Sequence, residues 1–191
     1  MALQSDGWIL RSEILWHKPN AVPEKVADRP TRDHETLFLL SKQKSYYYDA
    51  AAIAEPLVPS TLKRIASSQR VKTQAFSGIS TRRVIHTPAG RIMPSGWTPR
   101  RLDVASNGSY LRNKRTVWKV STQGYRGAHF ATFPPGLVRP CILAGCPVGG
   151  TVLDPFMGSG TTGLVAVQEG RKAIGIELNS DYLCLATDRV A

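Results

Sequence analysis

The sequence predicts an α/β fold, and three observations support that prediction. The first is a strand, a glycine loop, a helix and a second strand in succession over residues 151–178, which together form a βαβ unit with a right-handed connection. The second is a pair of apolar, strand-like runs near the start, Trp8–Trp16 and Thr36–Ser41. The third is a loss of apolar periodicity over residues 57–126, where Gly, Pro, Ser and Thr are frequent. An inserted segment is therefore expected to separate two α/β parts.

The first part begins with "MALQSDG", which is typical of the last turn of a helix closed by Gly7. Because so short a helix is not stable by itself, we expect the chain to have been cut at its start. The run "WILRSEILW" has the period of two that is typical of a strand. It is expected to place Trp8, Leu10, Ile14 and Trp16 on one face.

Two further strands are predicted before residue 56. The run "TLFLLS" (Thr36–Ser41) is continuously apolar, which favours a strand that is buried on both faces. The run "SYYYD" is expected to be a short strand in which Tyr46, Tyr47 and Tyr48 alternate in exposure, with at least one of them in the core.

The last part, residues 127–191, contains the βαβ unit. A helix is predicted to begin near Pro135, since Pro is favoured at the first helical position, and to end at Gly145. The run "GTVLD" predicts a strand, residues 161–169 a helix that Gly170 ends, and "KAIGIEL" the second strand.

The composition limits the class of protein. The 191 residues, of which 42% are apolar, suffice for a domain with a core. No run approaches the roughly 18 apolar residues of a membrane span, and the start lacks a signal-peptide pattern, so a cytoplasmic protein without a membrane partner is expected. The cysteines (Cys141, Cys146 and Cys184) lack CxxC spacing and are expected to be buried free thiols. Neither HExxH nor a His/Cys cluster predicts a metal site.

The positive charge is concentrated in the middle of the chain. Residues 57–126 contain fourteen Lys or Arg and one acid, Asp103, for a net charge of +13, whereas the whole chain carries +11. Such a stretch repels itself and is more stable against a polyanion. Nucleic acid is the expected partner rather than an anionic membrane, because no amphipathic apolar face accompanies the charge.

The glycine loop in "VLDPFMGSGTTG" (Val152–Gly163) indicates that something approaches its backbone closely, since Gly158 and Gly160 carry no side chain. One candidate is a phosphate. The phosphate-binding P-loop is excluded, because Thr161 and Thr162 stand where its lysine should be.

A dinucleotide is the second candidate, since the fingerprint GxGxxG is formally present as Gly158, Gly160 and Gly163. Glu177 even follows the next strand, where a ribose-binding acid is expected. Two features argue against NAD. The residues Asp-Pro-Phe-Met separate the strand from the first glycine, and only fourteen residues follow Glu177, too few for the second half of a dinucleotide domain. A dinucleotide-dependent oxidoreductase is therefore the least favoured hypothesis.

The loop "DPFMGSGTT" resembles the S-adenosylmethionine loop of the DNA methyltransferases that modify an exocyclic amino group of adenine or cytosine. The resemblance implies an S-adenosylmethionine-dependent methyltransferase (Rossmann-like) sheet. It implies that Asp154 accepts hydrogen bonds near the cationic end of the cofactor, that Phe156 forms an apolar wall, and that Glu177 binds the ribose hydroxyls. The implied cofactor-binding residues are Asp154, Phe156, Gly158, Gly160, Thr161 and Glu177, with His129 and Phe133 near the methionine end.

The resemblance covers almost the whole chain and is weakest between about residues 65 and 107. The runs "GWILRSEILWHKPNAVPE" and "DRPTRDHETLFLLSKQKSYYYD" are similar to the segment after the catalytic motif in the permuted class, in which the catalytic half precedes the cofactor half. The runs "RNKRTVWKV" and "GAHFATFPPGLVRPCILAGC" are similar to the passage into the cofactor loop. The implied domains are the C-terminal part of the catalytic half (1–56), a basic target-recognition region for double-stranded DNA (57–126) and the S-adenosylmethionine-binding half (127–191).

The catalytic motif of that family is an Asp, Asn or Ser followed by Pro-Pro and an aromatic residue, and it does not occur in this sequence. Pro-Pro occurs once, between Phe133 and Gly136, at a position similar to the helix before the cofactor loop. The resemblance therefore implies an enzyme truncated at its N-terminus, with an incomplete sheet and with its catalytic residues unknown. We expect it to bind S-adenosylmethionine weakly and to methylate nothing alone. The alternative is an inactive DNA-binding remnant, or one half of a split methyltransferase that a second chain completes.

Most basic residues of the middle segment are expected to contact DNA phosphates, which sets affinity and salt sensitivity rather than sequence choice. The predicted DNA-binding residues are Arg82, Arg83, Arg100, Arg101, Arg112, Lys114 and Arg115. Three questions stay open at this stage: adenine or cytosine as target, the recognition sequence, and whether a restriction enzyme accompanies the protein in a restriction–modification system.

Overall fold

The computed structural model describes residues 2–63, 111–123 and 132–190. Along the chain the elements are α1 (Ala2–Ser5), β1 (Ile9–His17), β2 (His34–Ser41), β3 (Glu55–Pro56), β4 (Leu111–Arg112), β5 (Val117–Lys119), α2 (Pro135–Gly145), β6 (Thr151–Asp154), α3 (Thr161–Gln168), β7 (Lys172–Gly175) and α4 (Ser180–Val190). Residues 59–63 are helical as well.

The chain divides into two compact units, Met1–Ile53 with Lys114–Ala191 as the first and Ala54–Asn113 as the second. In the second unit, β3 and β4 pair antiparallel with Glu55 opposite Arg112. The first unit contains every other strand and both hydrophobic cores described below.

The start of the chain is the end of a helical turn, as predicted. After α1, Gly7 adopts a φ of +86°, a left-handed conformation that favours glycine. The Gly7 amide donates to the Gln4 carbonyl at 3.1 Å and the Trp8 amide to the Leu3 carbonyl at 2.9 Å. This pair of bonds is the Schellman arrangement that ends a helix and directs the chain into a strand.

The first sheet has the strand order β2-β1-β5. β1 pairs antiparallel with β2 along its whole length and parallel with β5 over residues 15–17 only. Trp16 and Trp118, adjacent in this register, form a buried cluster with Leu137 of α2. The Trp16 indole N–H donates to the Val120 carbonyl at 2.7 Å. This hydrogen bond attaches the residue that follows β5 to the core.

A bulge in β1 contradicts the prediction that Trp8, Leu10, Ile14 and Trp16 share one face. The register steps from Leu10 opposite Leu40 to Ser12 opposite Leu39, so one extra residue is inserted in β1. Because side chains alternate with a period of two, Leu10 and Ile14 lie on opposite faces. A strict alternation in the sequence cannot reveal a bulge, which depends on the partner strand.

Two predictions for the segment after β1 are also wrong. Phe38 in the middle of β2 is 42% exposed, and the strand has one buried residue, Ser41, so β2 is not buried on both faces. Residues 42–49 form no strand, and Tyr46, Tyr47 and Tyr48 are all exposed. Arg11 places its guanidinium 4.8 Å from the centre of the Tyr46 ring, a cation–π contact at the surface.

The second sheet is a parallel pair, β6 and β7, whose connection through α3 gives the predicted βαβ unit. Val152 of β6 and Ala173 of β7 pack on a buried cluster of Ile142, Val165 and Ala166. α2 belongs to both cores, since Leu137 packs on the tryptophans and Ile142 on the βαβ unit. This helix therefore joins the two sheets through side-chain packing.

Strand pairing does not join the two sheets within the described residues. Among the strands that the structure describes, β6 pairs with β7 alone, and residues 9–14 of β1 have no partner on the edge opposite β2. Unpaired strand edges leave backbone donors and acceptors without partners. The described strands of the first unit thus form two separate sheets.

The three cysteines form no disulfide, but the prediction that they are buried is wrong. Cys141 and Cys184 are exposed and Cys146 is half-buried. Among the helices of the described ranges, none has the length and apolar character needed to cross a membrane.

Candidate functional site

The glycine loop lies at the carboxyl end of the parallel strands β6 and β7. Asp154, the last residue of β6, stands opposite Gly175, the last residue of β7. Beyond the strands, the Ile176 amide donates to the Asp154 carbonyl and the Met157 amide to the Ile176 carbonyl, both at 2.9 Å. The two loops that follow the strands are therefore tied together at one edge of the sheet, the position at which α/β sheets bind ligands.

Glu177 connects the two loops. Its Oε2 accepts a hydrogen bond from the Gly158 amide at 2.8 Å, and its Oε1 accepts one from the Asn179 amide at 2.9 Å. A carboxylate is also the kind of acceptor that ribose hydroxyls require. The carboxylate predicted to bind ribose hydroxyls thus also fixes the glycine loop.

The two carboxylate oxygens of Asp154 differ in their contacts. Its Oδ1 accepts a hydrogen bond from the Phe156 amide at 2.9 Å, which shapes the first turn of the loop. Oδ2 makes no hydrogen bond to any residue in the described ranges. One carboxylate oxygen is therefore available to a cationic or hydroxyl-bearing ligand.

Apolar side chains at the same edge are unusually exposed. Phe156 is 86% exposed and Leu178, next to Glu177, is 100% exposed. Leaving such side chains in water forgoes about 1.5–3 kcal/mol each relative to burial. An apolar wall beside polar acceptors suits a ligand that has both a flat ring and hydroxyl groups.

The two loop glycines serve different purposes. Gly158 has a φ of +53°, and its amide faces Glu177. Gly160 is buried with a φ of +80°, and a Cβ there would lie 2.8 Å from the Ala186 Cα of α4. At Gly160 it is therefore helix α4, and not a ligand, that approaches the backbone closely. Of the two glycines, Gly158 is the one at which a ligand could approach the backbone.

Thr161 is 4% exposed, and its hydroxyl accepts a hydrogen bond from Arg189 Nη1 at 3.2 Å. The same nitrogen bonds Ser159. Neither Ser159 nor Arg189 is predicted from the sequence as a site residue. Their pairing depends on how α4 lies against the loop, for which no local pattern gives a signal.

The remaining predicted cofactor residues lie near α2. Phe133, two residues before the helix, is partly exposed, and Pro134 between them is fully buried. His129 lies outside the described residues. The part of the chain that the structure describes contains no group of three or more His, Cys, Asp or Glu side chains placed to hold a metal ion.

Three of the predicted DNA-binding residues are described. Arg112 pairs with Glu55, Nη2 to Oε2, at 3.5 Å. Lys114 places its ammonium 5.2 Å from the centre of the Trp118 ring, and Arg115 is exposed. Arg82, Arg83, Arg100 and Arg101 lie outside the described residues.

Comparison with known proteins gives consistent matches. The sequence model of the N6_N4_Mtase family, described as DNA methylase, matches residues 1–188. The chain is 44% identical over 189 residues to Type II methyltransferase M.Cfr9I of Citrobacter freundii and 43% identical to M.XycI of Xanthomonas campestris pv. cyanopsidis, covering 99% of this chain and 47% of each relative. The chain thus spans about half the length of the curated relatives it matches.

Solved structures give the same fold. The PvuII DNA methyltransferase (cytosine-N4-specific) superposes with a TM-score of 0.60 at 18% identity, over 99% of this chain and 54% of that one. The M1.HpyAVI–SAM complex superposes with a TM-score of 0.55 at 21% identity, over 98% of this chain and 65% of that one. At these identities the similarity establishes a shared α/β fold.

Proposed function

Because this chain belongs to the DNA methylase family, we propose that it is the cofactor-binding and DNA-contacting part of a site-specific DNA methyltransferase. The methyl donor is S-adenosylmethionine, and the acceptor is the exocyclic amino group of adenine or cytosine in double-stranded DNA. The proposal includes a place in a restriction–modification system, supported by relatives that are named Type II methyltransferases. It places the protein in the cytoplasm.

One observation carries the cofactor assignment: the Glu177 carboxylate lies against the Gly158 amide at the carboxyl end of β6 and β7. S-adenosylmethionine has ribose hydroxyls, an adenine ring and a cationic sulfonium and amino group. Carboxylates are the acceptors that such groups require, and Asp154 and Glu177 supply them. Exposed Phe156 and Leu178 supply apolar surface for the ring. The donor set of the loop therefore fits this cofactor.

The same chemistry argues against a dinucleotide. A pyrophosphate at the start of the glycine loop would meet the Asp154 carboxylate, and like charges repel. Bound S-adenosylmethionine supplies a methyl group activated by the sulfonium, and the residues of this chain hold it in place. Orienting the target amino group toward that methyl is positional catalysis, and the motif that performs it in the family is not among these 191 residues.

A strand carrying that motif is proposed to lie between β1 and β6. The unpaired edge of β1 over residues 9–14 and the unpaired edge of β6 support this position. An added strand would satisfy backbone groups on both sides. A further segment of polypeptide would therefore supply the motif. That segment is either continuous with this chain or part of a second chain.

Calorimetry with the full chain tests the cofactor assignment. Glu177→Gln should weaken S-adenosylmethionine binding by roughly tenfold to a hundredfold, because hydrogen bonds to a charged group contribute about 1.5–3 kcal/mol. Glu13→Gln changes an exposed glutamate of β1 and should leave the affinity unchanged. Clear heat with NAD and none with S-adenosylmethionine would overturn the proposal.

Salt-dependent DNA binding tests the partner assignment. Replacing Arg112, Lys114 and Arg115 together by glutamine should reduce the slope of log K against log salt by roughly 2, since each phosphate contact contributes about 0.9. Arg112 should contribute least because it already pairs with Glu55. A control with Lys25, Lys42 and Lys44 replaced by glutamine removes the same charge outside the basic segment. Equal slopes in the two triple variants would refute a local DNA-binding role.

A further inference from the structure

Arg189, near the end of α4, contacts three acceptors of the glycine loop through one guanidinium nitrogen. Its Nη1 donates to the Ser159 carbonyl at 2.8 Å, to the Ser159 hydroxyl at 3.0 Å and to the Thr161 hydroxyl at 3.2 Å. Ser159 is 3% exposed. These acceptors lie within the turn that connects Gly158 to the first residue of α3.

The same helix contacts the loop at two further positions. A Cβ built at Gly160 would lie 2.8 Å from the Ala186 Cα, and one built at Gly163, in the first turn of α3, would lie 3.1 Å from the Val190 Cγ2. Residues three and four apart on a helix lie on one face, so Ala186, Arg189 and Val190 form a single surface against the loop. The polar contact at Arg189 is therefore held in place by apolar contacts on either side.

We propose that Arg189 is a positioning residue for the cofactor: it fixes the turn from Ser159 to Thr161 and thereby the orientation of the Gly158 amide toward Glu177. Arg189 acts through the loop and makes no contact with the cofactor. The inference rests on the proposed S-adenosylmethionine site and adds α4 as a determinant of its affinity.

The physical reason is the burial of the acceptors. Without the guanidinium, the Ser159 carbonyl and two nearly buried hydroxyls lose a donor, and burying an unpaired polar group is unfavourable. The loop would then populate other conformations in which these groups reach water. When only a fraction of molecules is competent to bind, the apparent Kd rises by the reciprocal of that fraction.

The test compares three variants of the full chain by calorimetry with S-adenosylmethionine. Arg189→Met keeps the aliphatic stem and removes every donor, so Kd should rise by about tenfold. Arg189→Lys keeps a charged donor and should stay within about threefold of the parent. Asp188→Asn alters an exposed neighbour on the same helix and should change nothing. Hydrogen exchange at the amides of residues 158–162 should accelerate in the methionine variant only.

Each outcome distinguishes the alternatives. If the parent chain does not bind S-adenosylmethionine, the proposed function fails before this inference is reached. If the parent binds and Arg189→Met binds equally well, the inference is wrong and the proposed function stands. If Arg189→Met and Arg189→Lys lose thermal stability alike while the folded molecules bind normally, Arg189 has a structural role only, and the inference is again wrong.

Discussion

Gly160→Ala should destabilise the protein by about 2–5 kcal/mol and abolish cofactor binding. A side chain in the left-handed conformation costs roughly 1–2 kcal/mol, and Gly160 has a φ of +80°. The new Cβ would also lie 2.8 Å from the Ala186 Cα. Overpacking adds typically 1–3 kcal/mol, because the nearest atom belongs to the backbone of α4 rather than to a flexible side chain.

Gly149 provides a matched control. It has a φ of +76°, but nothing lies within 4 Å of the position its Cβ would take. Gly149→Ala therefore includes the conformational cost alone and should lose only about 1–2 kcal/mol. Urea denaturation of the two variants separates the conformational cost from the cost of overpacking. Equal losses in the free energy of unfolding would mean that contact with α4 contributes nothing.

The contrast between these glycines shows what a sequence can and cannot specify. Positive φ at Gly7, Gly158 and Gly170 could be expected from their positions at helix ends and in a loop. The contact between Gly160 and Ala186 could not be expected from the sequence, because it results from the packing of α4 against the loop. Arg189 escaped prediction for the same reason.

Elements defined by local signals were predicted well. α2 begins at Pro135 and ends at Gly145, and β6, α3 and β7 follow the predicted order. These rest on capping residues and apolar periodicity, which neighbouring residues determine. The bulge in β1 and the exposure of the tyrosines at 46–48 depend on whether a strand lies alongside and on which strand it is. For these two features the prediction from sequence was wrong.

Exposed apolar surface on both sheets indicates where further polypeptide would pack. Leu153 of β6 and Ile174 of β7 are neighbours in the register and are 59% and 55% exposed. On the first sheet, Leu15 and Val117 are neighbours and are also exposed. Contiguous exposed apolar surface usually marks an interaction site. Together with the edges of β1 and β6 that have no strand partner among the described residues, these faces support the proposal that further polypeptide completes the sheet.

Supplying a complementary polypeptide should therefore convert a chain without activity into a methyltransferase. We expect purified chain alone to incorporate no methyl groups from S-adenosylmethionine into plasmid DNA. Co-expression with the part of M.Cfr9I that this chain does not match should give measurable incorporation. It should also raise the thermal midpoint, because a partner that binds only the folded state stabilises it.

The control is the same complementing polypeptide with alanine in place of the aromatic residue of the Pro-Pro-aromatic motif that the family resemblance implies for it. It should still bind and raise the midpoint, because the strand edges and apolar faces are unaffected, but it should not support methyl transfer, since the target base is no longer stacked and oriented. Methyl incorporation by this chain alone would show that its catalytic residues lie within these 191 residues and would end the proposal that they come from elsewhere.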